Sequence, residues 1–222
     1  MTTLQQTVEL RALQTRGESS DVIHQAVAQA LRDRGLSGAV VDAGCGTGQF
    51  SERLSGIATS YTGVDVIGHR GFPQDARFVR ADLDRGAIPL PDESADIVVA
   101  IEIIEHLENP RAFCREIVRL LKPSGWMVIS TPNQLSALSL LTLLIRGQFA
   151  AFQENSYPAH RTALLEIDLR RIASECRLTD LDVRYTCSGR IPTTGVHYPP
   201  SVARLFPRAC SDNLLLVARK HG

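Results

Sequence analysis

The chain has 222 residues, with 24 basic and 24 acidic side chains and no formal net charge. Balanced charge gives no global attraction to nucleic acid, and the length suits one domain able to bury roughly 70% of its unfolded surface. The five cysteines are odd in number and widely spaced, without a C-x-x-C pair. That argues against a disulfide framework or a cysteine zinc site and fits a reducing cytoplasm.

Residues 1–18 read as an accessory arm, with neither the basic region nor the apolar core of a secretory signal. One domain is expected over 19–222. Ser19, Ser20 and Asp21 can start a helix whose apolar positions Val22, Ile23, Ala26, Val27, Ala30 and Leu31 share a face, ended by Gly35 and Gly38. Val40 to Gly48 reads as a buried strand entering a glycine-rich turn, followed by the helix-compatible run Gln49–Leu54. Glycine lets a ligand approach bare backbone, and a helix start offers N–H groups to it. The spacing departs from the dinucleotide pattern G-x-G-x-x-G, because Gln49 stands where the third glycine belongs. No Gly-Lys-Ser/Thr of a P-loop occurs there either. Cys45 reads as a small residue that fits the turn rather than as a nucleophile.

A second strand, Tyr61 to Val66, carries Asp65 at its tip, 21 residues after Gly44, where an acid can hold a ribose diol. Arg77 to Leu83 reads as a third strand ending near Asp82. Ala95 to Ile101 reads as a strand buried on both faces, and Trp126 to Ser130 follows a break at Lys122–Gly125. Between them, Asn109-Pro110-Arg111 begins a helix with Phe113, Ile117, Leu120 and Leu121 at helical spacing. After strand five, residues 134–159 interrupt the alternation with the run Leu135–Ile145, whose 11 residues are too few to span a bilayer, which takes about 20. A helix over Leu164–Cys176 and strands over Leu181–Cys187 and Asn213–Ala218 complete the chain. Between the last two strands, the Pro-rich stretch Ile191–Pro207, with His197, Tyr198 and Arg204, reads as a loop able to reach the site.

The pieces VVDAGCGTG, GVDV, RADLD, ADIVVAIEIIEHL and LLKPSGWMVISTPN occur in order across residues 38–133. In this combination the chain resembles the class I S-adenosylmethionine-dependent methyltransferases, within them the small-molecule branch that includes ubiquinone-biosynthesis O-methyltransferases. The resemblance implies an α/β fold: a Rossmann-like, doubly wound, mostly parallel seven-stranded sheet with flanking helices and a lid insertion after strand five. It implies S-adenosylmethionine as cofactor and S-adenosylhomocysteine as product. By position, Asp42, Gly44, Cys45, Gly46 and Gly48 would surround the methionine part. Asp65 would accept the ribose hydroxyls, with Val66 and Ile67 against the adenine. Asp82 would take the adenine amino group beside Leu83, and Ile101 would border the reaction centre. Asp42 and Asp82 also have a simpler reading, as a helix cap or a turn stabiliser.

Glu102-Ile103-Ile104-Glu105-His106 follows strand four, where a helical turn would put its polar residues on one face. With the later His160 it resembles the metal site of small-RNA 3′-end 2′-O-methyltransferases and of the ubiquinone enzymes. That resemblance implies Glu102, Glu105, His106 and His160 as ligands of a divalent metal such as Mg²⁺. Without a metal, His106 is the first candidate for a catalytic base and His160 the second. The expected reaction is methyl transfer to a small-molecule acceptor, through a hydroxyl oxygen. A catalytically silent cofactor-binding module and a nucleotide-binding oxidoreductase are the alternatives. No nucleic-acid partner is expected, since no basic tract is interleaved with aromatics. A monomer or homodimer fits equally. The apolar surface of 134–159 suits a lid core, a dimer contact or peripheral membrane attachment. The lid core is preferred because basic residues are few within that segment.

Overall fold

Aliphatic strands that bury both faces need cover on both sides, and parallel pairing supplies it through the crossover helices. The computed structural model describes Glu9, Gly17 and residues 19–222; apart from those two positions the expected arm lies outside the described residues. The strands are β1 (Gly38–Ala43), β2 (Ala58–Asp65), β3 (Arg77–Arg80), β4 (Ala95–Ile101), β5 (Leu121–Pro132), β6 (Leu178–Tyr185) and β7 (Asn213–Lys220). They form one sheet in the order β3-β2-β1-β4-β5-β7-β6. The pairs from β3 to β5 are parallel, while β7 runs antiparallel to β5 and to β6. The doubly wound, mostly parallel seven-stranded expectation is therefore met.

Alternate residues of β4 feed two cores. Val98 and Ala100 pack with Phe113, Ile117 and Leu120 of α2 (Pro110–Leu120) and with Leu169 and Ile172 of α4 (Glu166–Glu175). Ile97, Val99 and Ile101 pack on the other face with Ile23, Val27 and Leu31 of α1 (Asp21–Arg32) and with Phe50. The buried face of α1 is rotated from the expected one: His24 and Ala28 are inside and Val22 is exposed. Asn109 caps α2 by accepting from the Ala112 N–H at 3.0 Å. Gln49–Arg53 is a short 3-10 turn rather than an α-helix. The expected break at Lys122–Gly125 lies inside β5 as a register irregularity, where Ala95 faces Leu121 and Ile97 faces Trp126. Part of the expected Ile191–Pro207 loop is a short helix, α5 (Pro200–Leu205).

The insertion after β5 departs from a lid core. Its helix α3 (Ala137–Arg146) buries Ser139 alone. Leu140, Leu143, Leu144 and Ile145 face solvent, Leu144 at 83%. The reason is polar. The Ser139 hydroxyl accepts from the Ala150 N–H at 3.2 Å and lies 3.5 Å from Gln134, and the Ser136 hydroxyl caps the helix at the Ser139 N–H, 3.1 Å away. Asn133 donates to the carbonyls of Arg208 and Ser211. Buried polar groups must be satisfied, and this network turns the hydroxyl side inward and the leucines outward. Among the described residues, no helix is long and apolar enough to cross a membrane.

Trp126, the single tryptophan, has the guanidinium groups of Arg34 and Arg219 over its ring, at 5.5 and 5.9 Å from the ring centre. It reports on the sheet. Ile117→Ala empties space in a fully buried contact between α2 and the sheet and should cost about 2–5 kcal/mol. Urea unfolding followed by Trp126 fluorescence checks this; an unchanged midpoint would refute it.

Candidate active site

Parallel strands deliver their carboxyl ends to one edge, and in such sheets ligands bind there. A cleft of about 620 Å³ opens at that edge, within the size range of small-molecule sites. Asp42, next to the last residue of β1, has only 2% exposure. One carboxylate oxygen accepts from the Tyr61 hydroxyl at 2.7 Å, and the other, Oδ1, is buried without a partner. Burial drives its pKa up to about 7, aided by the nearby Asp65 charge and opposed by the Tyr61 bond.

The chain then turns through backbone that side chains disfavour. Gly44 has φ 83° and Gly46 φ 52°. A Cβ on Gly44 would meet Ile103 at 2.6 Å, and one on Gly46 would meet the Gly17 carbonyl at 2.1 Å. The Asp65 carboxylate clasps this turn: one oxygen accepts from the Gly46 N–H at 2.9 Å, the other from the Val66 N–H at 2.7 Å. Burial pushes the Cys45 thiol far up, with Asp42 and Asp65 adding to it, so the thiol stays protonated.

Asp42, Gly44, Cys45, Gly46, Asp65, Val66, Asp82, Leu83 and Ile101 all line the cleft. Gly48 does not; it sits behind the wall at φ 77°, and Thr47 and Gln49 line the cleft beside it. Ile67 is also absent from the wall. Asp82 lies past the end of β3, where its carboxylate accepts from the Asp84 N–H at 3.0 Å.

The acidic and imidazole groups after β4 sort into two sets. Ile104–His106 forms a 3-10 turn, and Glu102 precedes it at φ 52°. The Glu102 carboxylate accepts from the Ser130 hydroxyl at 3.1 Å and the Asn213 amide at 2.8 Å. Burial raises its pKa to about 7 despite these bonds. The expected shared face with Glu105 and His106 therefore fails, because the left-handed backbone at Glu102 turns it toward β5 and β7. Glu105, His106 and His160 do converge, each offering one ligand atom within 4.8 Å of the others. Glu105 is 1% exposed; one oxygen accepts from Thr131 at 3.0 Å and Oε1 is buried without a partner. Burial, then the Glu102 charge, holds its pKa well above the carboxylate range.

His106 Nδ1 lies 2.9 Å from the Ala159 carbonyl, and His160 Nδ1 lies 2.5 Å from that of Ala151. A carbonyl only accepts, so both Nδ1 atoms carry hydrogen, and such a ring when neutral holds its lone pair on Nε2. The rings meet edge to face at 4.8 Å. Burial lowers the His160 pKa, which favours that neutral ring. The N–H groups of Arg161 and Thr162 both bond the Glu105 carbonyl, so the insertion is fastened to the acidic turn.

Other cleft residues were not singled out in the sequence. His24 lines it from α1, where a histidine among apolar positions was the available signal. Arg190 and Asp212 come from the segment before β7 and Asn213 from its first position; His197, which the sequence placed only in a loop near the site, comes from the same segment. Arg190 pairs with Asp212 at 2.6 Å.

A glycine turn after β1, an acid at the tip of β2 and a cleft at the strand ends are the arrangement of a Rossmann-like fold that binds a nucleoside-containing cofactor. The chain matches the methyltransferase domain family over residues 14–185 and belongs to that family. Its fold is that of the class I S-adenosylmethionine-dependent members, which replaces the oxidoreductase alternative. A Mycolicibacterium smegmatis protein named a probable S-adenosylmethionine-dependent methyltransferase is 35% identical over 116 residues, covering 51% of this chain and 45% of that one. A ubiquinone biosynthesis O-methyltransferase of Albidiferax ferrireducens is 27% identical over 178 residues, 75% of this chain and 66% of its own length. The matched part spans less than half the length of the first of these relatives. A SAM-dependent methyltransferase of Archaeoglobus fulgidus superposes with TM-score 0.60 at 23% identity, covering 89% of this chain and 94% of that one. The 1,6-didemethyltoxoflavin-N1-methyltransferase of Burkholderia thailandensis, solved with S-adenosylhomocysteine, gives 0.62 at 17%, covering 99% and 88%. At such identity these structures speak to the fold alone.

Asp42 links stability to pH. Its carboxyl is held at about 7 in the folded chain against 3.8 ordinarily. Between those values the folded chain keeps a proton that the unfolded chain gives up. The stabilisation is complete below about pH 4 and is lost as pH rises through about 7. Asp42→Asn removes this component, so relative to wild type the variant should gain a few kcal/mol between about pH 5 and pH 8. Melting curves of both proteins across that range test this; parallel pH profiles would refute it.

Proposed function

We propose that the chain transfers the methyl group of S-adenosylmethionine to a hydroxyl oxygen of a small-molecule acceptor. The observation that supports it most is one cleft shared by the Asp42–Gly46 turn, Asp65 and the two imidazoles of His106 and His160. Asp65 would accept the ribose hydroxyls, and Asp82, Leu83 and Val66 would border the adenine. The partnerless oxygen of Asp42 suits the cofactor's ammonium group. The acceptor oxygen attacks the methyl carbon, the carbon–sulfur bond breaks with its electron pair going to sulfur, and S-adenosylhomocysteine leaves. The protein mainly positions the two reactants. Nε2 of His106 takes the hydroxyl proton, with His160 as the second candidate.

The same residues fit a divalent cation. Glu105 keeps one buried oxygen without a partner, and its carboxylate converges with two imidazoles whose Nδ1 atoms are held by carbonyls. Such carbonyl-oriented imidazoles are a common support for metal ligands. Two nitrogens and one carboxylate favour a first-row transition ion over Mg²⁺, which prefers oxygen. Glu102, held by Ser130 and Asn213, stands outside this set. A bound ion would lower the pKa of a coordinated acceptor hydroxyl. His106 cannot serve as ligand and base through the same nitrogen, so the two roles exclude each other.

Calorimetric titration with S-adenosylhomocysteine should give binding at about micromolar strength that Asp65→Ala abolishes while the variant still melts cooperatively. A folded wild-type sample that does not bind refutes the cofactor site. With hydroxylated acceptors, His106→Ala should lower transfer by about 10²–10⁴-fold and leave S-adenosylhomocysteine affinity unchanged. Binding without transfer to any such acceptor favours the silent module. Loss of turnover on chelation, restored by a transition ion, assigns His106 to the metal; indifference to chelation assigns it to proton transfer.

A further inference from the structure

The cofactor and the two imidazoles leave one stretch of the cleft wall unused. Thr186, Ser188, Arg190, His197, Asp212 and Asn213 line it from the chain between β6 and β7 and from the first position of β7. All six are polar, and no purely apolar side chain of residues 186–213 lines the cleft. Backbone pairing sets the geometry. Arg190 stands opposite His197 in a short antiparallel hairpin. The Tyr198 N–H bonds the Gly189 carbonyl at 2.9 Å, and the Ile191 N–H bonds the Val196 carbonyl at 2.8 Å. These bonds flank the Arg190–His197 pair rather than join it, so the two side chains leave the same side of the hairpin as close neighbours. Asp212 lies against them. Its carboxylate accepts from Arg190 Nε at 2.6 Å and from the Arg190 N–H at 3.3 Å. The fit is close, since a Cβ on Gly189 would meet the Cys210 carbonyl at 2.5 Å.

Charge and hydrogen bonding narrow what this wall can hold. Arg190 is the only arginine or lysine among the described residues that line the cleft, and Asp212 already neutralises it. Asp42, Asp65, Asp82, Asp84, Glu102 and Glu105 line the same cleft. An acceptor carrying phosphate or carboxylate would enter against that balance. A flat apolar acceptor would displace water from polar groups and leave them without partners. A neutral polyol meets both conditions. Each of its hydroxyls donates and accepts, and the Arg190–Asp212 pair sets a donor beside an acceptor, as two neighbouring hydroxyls require. The terminal N–H groups of Arg190 make no hydrogen bond among the described residues, since Asp212 is met through Nε.

We propose that Arg190, Asp212 and His197 hold the acceptor, and that the acceptor is a neutral polyhydroxylated ring, a sugar or glycoside. The inference deepens the methyltransferase reading and rests on it. One hydroxyl attacks the methyl carbon, the carbon–sulfur bond breaks with its electron pair going to sulfur, and the hydroxyl proton passes to Nε2 of His106. The neighbouring hydroxyls stay on the wall and set which oxygen is presented.

Transfer of labelled methyl from S-adenosylmethionine to the methyl glycosides of glucose, galactose and mannose, to the matching uronates and to catechol tests it, beside calorimetry with S-adenosylhomocysteine. At least one neutral glycoside should be methylated with kcat/KM about 100-fold or more above its uronate and above catechol. Arg190→Gln should raise the KM for that glycoside about tenfold or more, with kcat and S-adenosylhomocysteine affinity unchanged. Asp212→Asn should narrow the gap between glycoside and uronate about tenfold, because it removes a charge that repels the uronate. Arg190 is half-exposed, and the Asp212 carboxylate bonds only Arg190 among the described residues, so both variants should melt as wild type. Methylation of catechol or a uronate in preference to every glycoside overturns the proposal and leaves the methyltransferase reading standing. Binding of S-adenosylhomocysteine with no transfer to any of the glycosides also overturns it and leaves the cofactor site intact. A folded protein that binds no S-adenosylhomocysteine removes both.

Discussion

Two carboxylates, Asp42 and Glu105, sit almost wholly buried at the strand ends, each with one oxygen that no described group satisfies. Leaving such an atom unpaired costs of order 1–3 kcal/mol, so the sheet carries these groups against their own solvation. Everything around them is arranged to hold that position. Tyr61 and Thr131 each supply one hydrogen bond, Ser130 and Asn213 restrain the neighbouring Glu102, and the glycine turn leaves room between the two acids. A site that stores unmet polar capacity in this way is prepared for a cationic or hydrogen-bonding guest.

The two acids divide the cleft by chemistry. On the β1–β2 side, backbone N–H groups and Asp65 form a neutral-to-acidic cradle suited to an amino acid and a ribose. On the β4 side, Glu105 and two imidazoles locked by carbonyls provide either a proton acceptor or a ligand set. Arg161 and Thr162 bond the Glu105 carbonyl, so the chain next to His160 is fixed directly to the acidic turn.

The parallel sheet and the cofactor turn were legible because their signals are local: continuous apolar runs, positive-φ glycines and acids at strand tips. Nine of the ten expected cofactor positions line the cleft, while Gly48 sits in the turn behind its wall. Glu102 was misplaced for a reason that spacing cannot reveal. A single left-handed residue breaks the helical turn and rotates the first carboxylate away from the other two groups. Arg190, Asp212 and Asn213 were invisible as site residues, since only the antiparallel return of β7 brings them to the edge. The inversion of α3 was equally hidden. Its leucine pattern predicts burial, while the deciding hydroxyl and amide contacts come from Gln134, Ala150 and the chain near Arg208.

The way α3 is attached also separates two kinds of sequence change. Its anchor is polar and short, from Asn133 to Ser139, and the apolar positions beyond it touch little of the cofactor half. Substitutions on the outer side should therefore combine additively with changes in the cleft. The outer helix face is in that sense an exchangeable cassette: its surface chemistry can drift or be redesigned while the strand-end machinery is left as it stands.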